Sequence, residues 1–177
     1  LRIQEAKDLE AVELAARGPE RLVIISDHAD QHLISPGQYE KYCIPYYRKA
    51  CRILHEHGKF VSTHLDGNFK GFFPIINQTG FDLLDGCTPA PMFNFEVEEL
   101  AAAMGGGMCA YCGVPSIMFC DGTSREEIFA FADRILDALQ GRGIINVGDI
   151  LPANGDIEKV IALGEHVAAR NAEVSAG

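Results

Sequence analysis

The sequence predicts an α/β protein built on a parallel sheet, and three observations support that class. Five short apolar runs alternate with six stretches of helical spacing along the 177 residues. The runs are apolar at successive positions, which is typical of strands that are covered on both faces. No linker-like, repetitive or low-complexity segment interrupts the alternation, so we expect a single domain over residues 1–177.

The first helix and the first strand are separated by a helix-breaking pair. Residues Ile3–Arg17 have helical spacing, and we expect this helix to end at Gly18-Pro19. The β-branched run Leu22–Ser26 follows and predicts a strand.

The second helix carries both a start and a stop signal. Residues Pro36–His57 are amphipathic, with Ser35 as a candidate N-cap and Gly58 as the residue that ends the helix. The apolar run Phe60–Thr63 predicts the second strand, and Phe69–Gln78 predicts a short helix.

The remaining elements repeat the same alternation. The predicted strands are Phe81–Leu84, Met108–Cys112 and Gly143–Val147. The predicted helices extend from Asn94 or Phe95 to Met104, over Ser124–Gln140, where Thr123–Glu126 resembles a capping box, and over Asp156–Arg170. We expect the tail after the last helix to fray.

This alternation implies right-handed β-α-β units whose strands all end on one edge of the sheet. A (β/α)8 barrel needs eight strands and about 250 residues. Five strands cannot close a barrel, so the residues leave two possibilities: part of a barrel or a small open sheet. The chain begins with Leu1 and not with Met, so we expect an N-terminal region to be missing.

Charge and hydropathy exclude several classes of partner. The formal net charge is −10 and no basic cluster occurs, which argues against nucleic acid and against an anionic membrane surface. No apolar run approaches the roughly 20 residues that span a bilayer, and no signal-peptide pattern is present. We therefore expect a cytoplasmic protein that acts on a small-molecule substrate.

The cysteine pattern predicts free thiols in a reducing compartment. Cys109 and Cys112 form a C-x-x-C, but positions three apart on a strand lie on opposite faces, so we expect them neither to pair nor to share a metal. The six cysteines are Cys43, Cys51, Cys87, Cys109, Cys112 and Cys120.

Candidate metal ligands follow two of the predicted strands. His64 and Asp66 come after the second strand, and residues two apart on an extended segment point to the same side. Asp149 follows the last strand, so all three are expected at the edge where such folds bind ligands. One imidazole and two carboxylates suit a divalent zinc, manganese or iron(II) ion. In the alternative interpretation, Asp66 caps a helix at Phe69 and His64 bonds a nearby carbonyl.

Further candidates lie after the first strand and at the end of the fourth. Asp27 or His28 could position substrate or act as acid or base, and Gln31 lies in the same loop. Tyr111 and Cys112 could line a substrate pocket. The alternatives are a solvated loop for the first group and ordinary packing for the second.

Three segments resemble the uroporphyrinogen decarboxylase superfamily, which includes zinc-dependent, corrinoid-linked methyltransferases. Leu33-Ile-Ser-Pro36-x-x-Tyr39-x-x-Tyr42-x-x-Pro45-Tyr46 resembles the signature L-S-P-x-x-F-x-x-F-x-x-P-Y. The segment from His64 to Asn68 is similar to the methyltransferases' H-x-C-G-N zinc motif. Asn146–Pro152 falls where the decarboxylase has N-L-G-H-G-I-x-P and the methyltransferases have their last zinc cysteine.

The resemblance implies the C-terminal portion of a TIM barrel, with about five parallel strands. It also implies a methyl transfer between a small methylated substrate and a corrinoid protein or thiol acceptor, with a divalent metal for which zinc is the first candidate. Asp66 and Asp149 replace the methyltransferase cysteines, which indicates a changed metal site with harder ligands and a stronger Lewis acid.

Two alternatives remain open at this stage. One is a decarboxylase of the kind that acts in porphyrin biosynthesis, although Asp149 replaces the decarboxylase histidine and the arginine-bearing N-terminal segment is absent. The other is an inactive half-barrel or binding module. Because part of a barrel exposes sheet edges, we expect either a homo-oligomer or a missing N-terminal half.

Overall fold

In a computed structural model, which describes residues 2–27 and 29–176, strands and helices alternate along the chain. The strands are β1 (Leu22–Asp27), β2 (Phe60–Leu65), β3 (Leu83–Cys87), β4 (Cys109–Pro115) and β5 (Gly143–Gly148). The helices are α1 (Arg2–Ala16), α2 (Pro36–Gln38), α3 (Ile44–Glu56), α4 (Val97–Ala103), α5 (Arg125–Leu139) and α6 (Ile157–Ala176). Within these residues, no helix is both long and apolar enough to cross a bilayer.

The chain divides into two compact units. The first contains the residues up to Asp85 together with Ala102–Cys109, and the second contains Gly86–Ala101 and the residues from Ala110 onward. Each unit contains parallel strands: β1, β2 and β3 as far as Asp85 in the first, and β4 from Ala110 with β5 in the second. A single domain over residues 1–177 therefore stays a prediction.

In the first unit, side chains alternate between the two faces of the strands, and Ser62 of β2 is fully buried although it shares the face of His64. Val61, Thr63, Leu65 and Leu84 are fully buried on the face that packs against helices. The opposite face carries His64 and Asp85, which are only partly buried. We call it the His64 face; besides these two residues it contains Leu22, Ile24, Phe60, Ser62 and Leu83.

In the second unit, side chains also alternate between a face covered by helices and the opposite face of the strands. Cys112 and Val114 of β4 are fully buried, and a cavity of about 210 Å³ lies between β5 and α6. The opposite face, which we call the Asn146 face, contains Tyr111, Gly113, Pro115, Ile144, Asn146 and Gly148, because these positions pair in register.

The helix ends follow the signals in the sequence. Ser35 caps α2, as the sequence predicts, and the structure adds a capping box with Gln38. The box at α5 consists of Ser124 and Glu127, one residue later than predicted. Gly58, at φ +69°, follows the long helix and permits the left-handed turn that ends it.

The long helix that the sequence predicts is interrupted by a π-helix over Tyr39–Cys43. The Ile44 N–H bonds to the Tyr39 carbonyl, five residues back. Pro45 explains the interruption, because proline has no N–H and its ring crowds the carbonyl four residues before it. The extra residue relieves that crowding.

Several predicted boundaries are wrong, among them that of β3, which covers Leu83–Cys87 and not Phe81–Leu84. Phe69–Gln78 contains two short 3-10 turns, Lys70–Phe72 and Ile76–Gln78, because Pro74 cannot continue a helix. Strand β4 continues to Pro115, since its pairing with β5 extends that far. Helix α6 does not fray after Arg170 but continues to Ala176.

Candidate functional site

The best-defined contact near the strand ends joins His64 to Asp85. His64 lies one residue before the end of β2, and the parallel register places it opposite Asp85 of β3. The distance from His64 Nδ1 to Asp85 Oδ2 is 3.0 Å, and the two side chains are 36% and 26% exposed. The pair is therefore held by the sheet but remains reachable from outside.

This contact assigns different roles to the two nitrogens of the imidazole. A carboxylate beside Nδ1 favours a proton there, which leaves Nε2 as the lone-pair nitrogen of the neutral ring. Histidines that bind metals commonly donate their other ring N–H to a carboxylate in this way. The geometry thus suits His64 as a metal ligand or as a base.

Asp66 follows β2 directly and is half-buried. Within the described part of the chain, its carboxylate has no hydrogen bond and no ion pair. Phe69 begins only a 3-10 turn, which has no side-chain cap, so Asp66 does not cap a helix there. The alternative structural role for Asp66 therefore lacks support, and its oxygens are available to a ligand.

A carboxylate that the sequence reasoning did not single out, Asp30, fixes the backbone beside Asp66. Asp30 accepts hydrogen bonds from the backbone N–H groups of His32 (2.7 Å) and Asn68 (2.9 Å). Hydrogen bonds from Asn68 and then His32 lower the pKa of Asp30. Gly67, at φ +120°, leaves no room for a side chain, because a Cβ would press against Asp30. The loops after β1 and β2 are thus joined by one carboxylate.

Asp149 belongs to the second unit and follows β5. It is exposed and adopts a positive φ of 61°, which only glycine, asparagine and aspartate tolerate readily. Its carboxylate has no partner among the described residues. Non-glycine residues in this conformation occur disproportionately at functional sites.

The predicted substrate-contacting residues differ in their hydrogen bonds and in their burial. Gln31 Oε1 accepts the Gly71 N–H at 3.1 Å, so this side chain also joins the two loops. Tyr111 lies on the Asn146 face and is partly exposed, whereas Cys112 is fully buried on the helix-covered face. Burial raises the pKa of the Cys112 thiol to about 12, which keeps it protonated at neutral pH. This placement favours packing for Cys112, the alternative given above.

The predicted acid–base candidates are described only in part. Asp27 is the last residue of β1 and pairs with Leu65, but its side chain is outside the described part of the structure. His28 lies outside the described residues altogether. Both assignments stay predictions.

The three predicted metal ligands are divided between the units: His64 and Asp66 in the first, Asp149 in the second. Across residues 2–27 and 29–176, no three His, Cys, Asp or Glu side chains form a group that could hold a metal ion. The ligand set therefore stays a prediction, supported by residue chemistry, strand-end position and the His64–Asp85 contact. No disulfide joins any two of the six cysteines in the described part of the chain.

Asp85 is the functional candidate that sequence reasoning missed. The signal was present, since Leu83-Leu-Asp85 is an apolar run followed by a carboxylate, as at Asp149. Three further histidines hold structural contacts: His55 with Asp82, His57 with the Ile53 carbonyl and His166 with Asp133.

The comparison with protein families decides the assignment. The family model of uroporphyrinogen decarboxylase (URO-D) matches residues 12–170. The chain belongs to the uroporphyrinogen decarboxylase family. The resemblance seen in the sequence is thereby confirmed, and the motif positions of His64 and Asp149 both fall within the matched range.

A solved structure supports the fold of this URO-D chain. The chain is similar to a methyltransferase from Methanosarcina mazei, with a TM-score of 0.69 and 18% sequence identity. The match covers 89% of this chain and 45% of that one. The chain thus spans less than half of that structure. Five parallel strands alternating with helices confirm the predicted α/β class and a partial TIM barrel. No curated protein matches the sequence.

Proposed function

We propose that the chain is part of a metal-dependent methyltransferase of the URO-D family. It would move a methyl group between a small methylated substrate and a corrinoid protein or thiol acceptor. The observation that carries the proposal is the His64–Asp85 pair at neighbouring strand ends, 3.0 Å apart, with the unpartnered carboxylate of Asp66 two residues on. The fold shared with a methyltransferase supports the same reaction class.

His64, Asp66 and Asp149 would hold the divalent cation, with zinc as the first candidate. Once bound, the ion would supply a Lewis acid that polarises an ether, hydroxyl or thiol group of the substrate. Asp85 would keep the His64 ring in the orientation and tautomer that present Nε2. Asp30 would fix the turn at Gly67, so that Asp66 is displayed from a rigid loop.

Decarboxylation of a porphyrinogen is the second candidate, favoured by the family name. A tetrapyrrole with many carboxylates requires cationic partners in its pocket. None of the strand positions assigned above to the His64 face or the Asn146 face is Lys or Arg. This composition favours a small substrate with little negative charge. Turnover of uroporphyrinogen by the protein would reverse the preference.

Metal content tests the ligand assignment directly. We expect elemental analysis of the purified protein to find a divalent metal, and His64→Ala to lose it. His57→Ala is the matched control, since His57 bonds only the carbonyl of its own helix and should leave metal content unchanged. We expect Asp85→Asn to weaken metal affinity about 10- to 100-fold, because it removes the carboxylate that orients the ligand. Unchanged metal content in His64→Ala would defeat the assignment.

A further inference from the structure

Two cavities in the first unit share one wall. One has a volume of about 350 Å³ and lies between α1 and the π-helix with the first turns of α3. The other has a volume of about 440 Å³ between α1 and β1. Asp8, Tyr46 and Tyr47 line both, so this carboxylate and these two rings lie where the cavities meet.

The charge of Asp8 is not balanced by a neighbour. Its carboxylate accepts a hydrogen bond from Gln4 Nε2 at 2.8 Å, and it forms no ion pair within the described part of the chain. Glu5, one turn away, is by contrast paired with Lys49 at 2.5 Å. Lys41 and Lys49 also line the first cavity, but Lys49 is paired with Glu5, so the half-buried Asp8 carboxylate belongs to the shared wall without an ion pair of its own among the described residues.

The aromatic side of the wall is made by tyrosines. The Tyr46 and Tyr47 rings meet edge to face, with centroids 5.5 Å apart. Burial and then the charge of Asp8 raise the pKa of Tyr46, so carboxylate and phenol are electrostatic neighbours. Lys41 and Tyr42 also line the first cavity, and Lys41 Nζ lies 5.0 Å from the centroid of the Tyr42 ring, a cation–π contact between two side chains of the lining.

We propose that these joined cavities bind a small organic cation, a protonated amine or a quaternary ammonium ion. The ammonium group would lie between the Asp8 carboxylate and the Tyr46 ring, where it gains both ion pairing and a cation–π contact. Aromatic walls and a single unpaired carboxylate suit a weakly hydrated cation better than a hard metal ion, which requires several oxygen ligands. The site is separate from the strand ends and does not depend on methyl transfer.

Tetramethylammonium chloride is the probe, and tert-butanol is its neutral counterpart of the same shape. We expect NMR titration of the protein, at constant ionic strength set with sodium chloride, to shift the signals of Tyr46 and Tyr47 with tetramethylammonium only. Asp8→Asn should weaken binding about fivefold, the loss expected for one partly exposed charge contact. Asp121→Asn removes an exposed carboxylate elsewhere and should bind like the wild type.

Substitution at Tyr46 separates the ring from the hydroxyl. Tyr46→Phe keeps the aromatic face and should bind within about twofold of the wild type, whereas Tyr46→Leu should lose binding. The proposal is overturned if tetramethylammonium does not bind, if tert-butanol shifts the same signals equally, or if Asp8→Asn binds as tightly as Asp121→Asn. None of these readouts depends on a metal, so failure here leaves the proposed function untouched.

Discussion

At the scale of single residues, Asp30 determines how the candidate site is presented. Its two carboxylate oxygens accept N–H groups from the loop after β1 and the loop after β2. Those loops carry Gln31 and Asp66, and Gln31 adds two more bonds: its N–H donates to the Asn68 carbonyl, and its side chain accepts the Gly71 N–H. A local polar contact thereby fixes the backbone from which a candidate ligand projects.

Asp30→Asn tests this role. An amide can replace only one of the two carboxylate oxygens as acceptor, so we expect a loss of about 1–2 kcal/mol of unfolding free energy at pH 7. Urea titration of the variant against wild type measures it, with Asp121→Asn as the control because that aspartate is exposed and unpartnered among the described residues.

The pH dependence of that difference gives an independent check. The pKa of Asp30 is lowered in the folded state, so its stabilising effect is complete above the ordinary carboxyl value and is lost as the pH falls through the lowered folded value. We therefore expect the gap between wild type and Asp30→Asn to shrink as the pH is lowered below the ordinary carboxyl value of about 4. A gap that stays constant over this range would show that the charge of Asp30 contributes nothing.

The sequence allowed the ligand candidates to be predicted but not the residues that hold them. His64, Asp66 and Asp149 each follow a recognisable apolar run, so their positions at strand ends could be read locally. Asp85 also follows an apolar run, but the predicted strand Phe81–Leu84 ended before it, and its contact with His64 depends on the register of two strands. The role of Asp30 depends on a contact between two loops that are distant in the sequence, and no local sequence pattern predicts such a contact.

At the scale of elements, the order of strands and helices was predictable from periodicity, whereas some boundaries were not. Pro74 inside the segment Phe69–Gln78 outweighed its helical spacing. Pro45 did the same within the long helix, where it produced a π-helix and not a break. Strand β4 extends beyond the apolar run that predicted it, because it pairs with β5 as far as Gly148.

The pairing of β4 with β5 depends on a close approach at Gly113. A Cβ at this position would lie 2.6 Å from the backbone nitrogen of Gly148, and backbone atoms cannot move aside. We expect Gly113→Ala to lower the unfolding free energy by about 3 kcal/mol, at the upper end of what overpacking costs. Thermal or urea unfolding measures the change.

Gly164→Ala is the matched control in the same unit. Gly164 lies inside α6, and a Cβ there meets nothing within 4 Å. Because alanine favours a helix interior over glycine, this variant should gain about 0.5–1 kcal/mol. If both substitutions changed stability by a similar amount, the close approach of β4 and β5 would not be a constraint.

At the scale of the whole molecule, the chain has the strands of a partial barrel and therefore an open edge. Among the described residues, β1 pairs only with β2. The strands there leave large apolar side chains uncovered, since Ile24 is 55% exposed and Phe60 is 51% exposed. The related methyltransferase is more than twice as long as the part that this chain matches, which is consistent with a barrel wall that these strands alone do not complete.

An open strand with apolar neighbours favours association through its edge. We expect this 177-residue chain to be a dimer or larger by multi-angle light scattering at micromolar concentration. Ile24→Lys places a charge on the edge strand, which should oppose pairing and shift the chain toward monomer. Leu14→Lys introduces the same charge at an exposed position of α1 away from the strands and should leave association as in the wild type. A monomeric wild-type chain, or equal effects of the two lysines, would exclude edge pairing through β1 as the way these strands are covered.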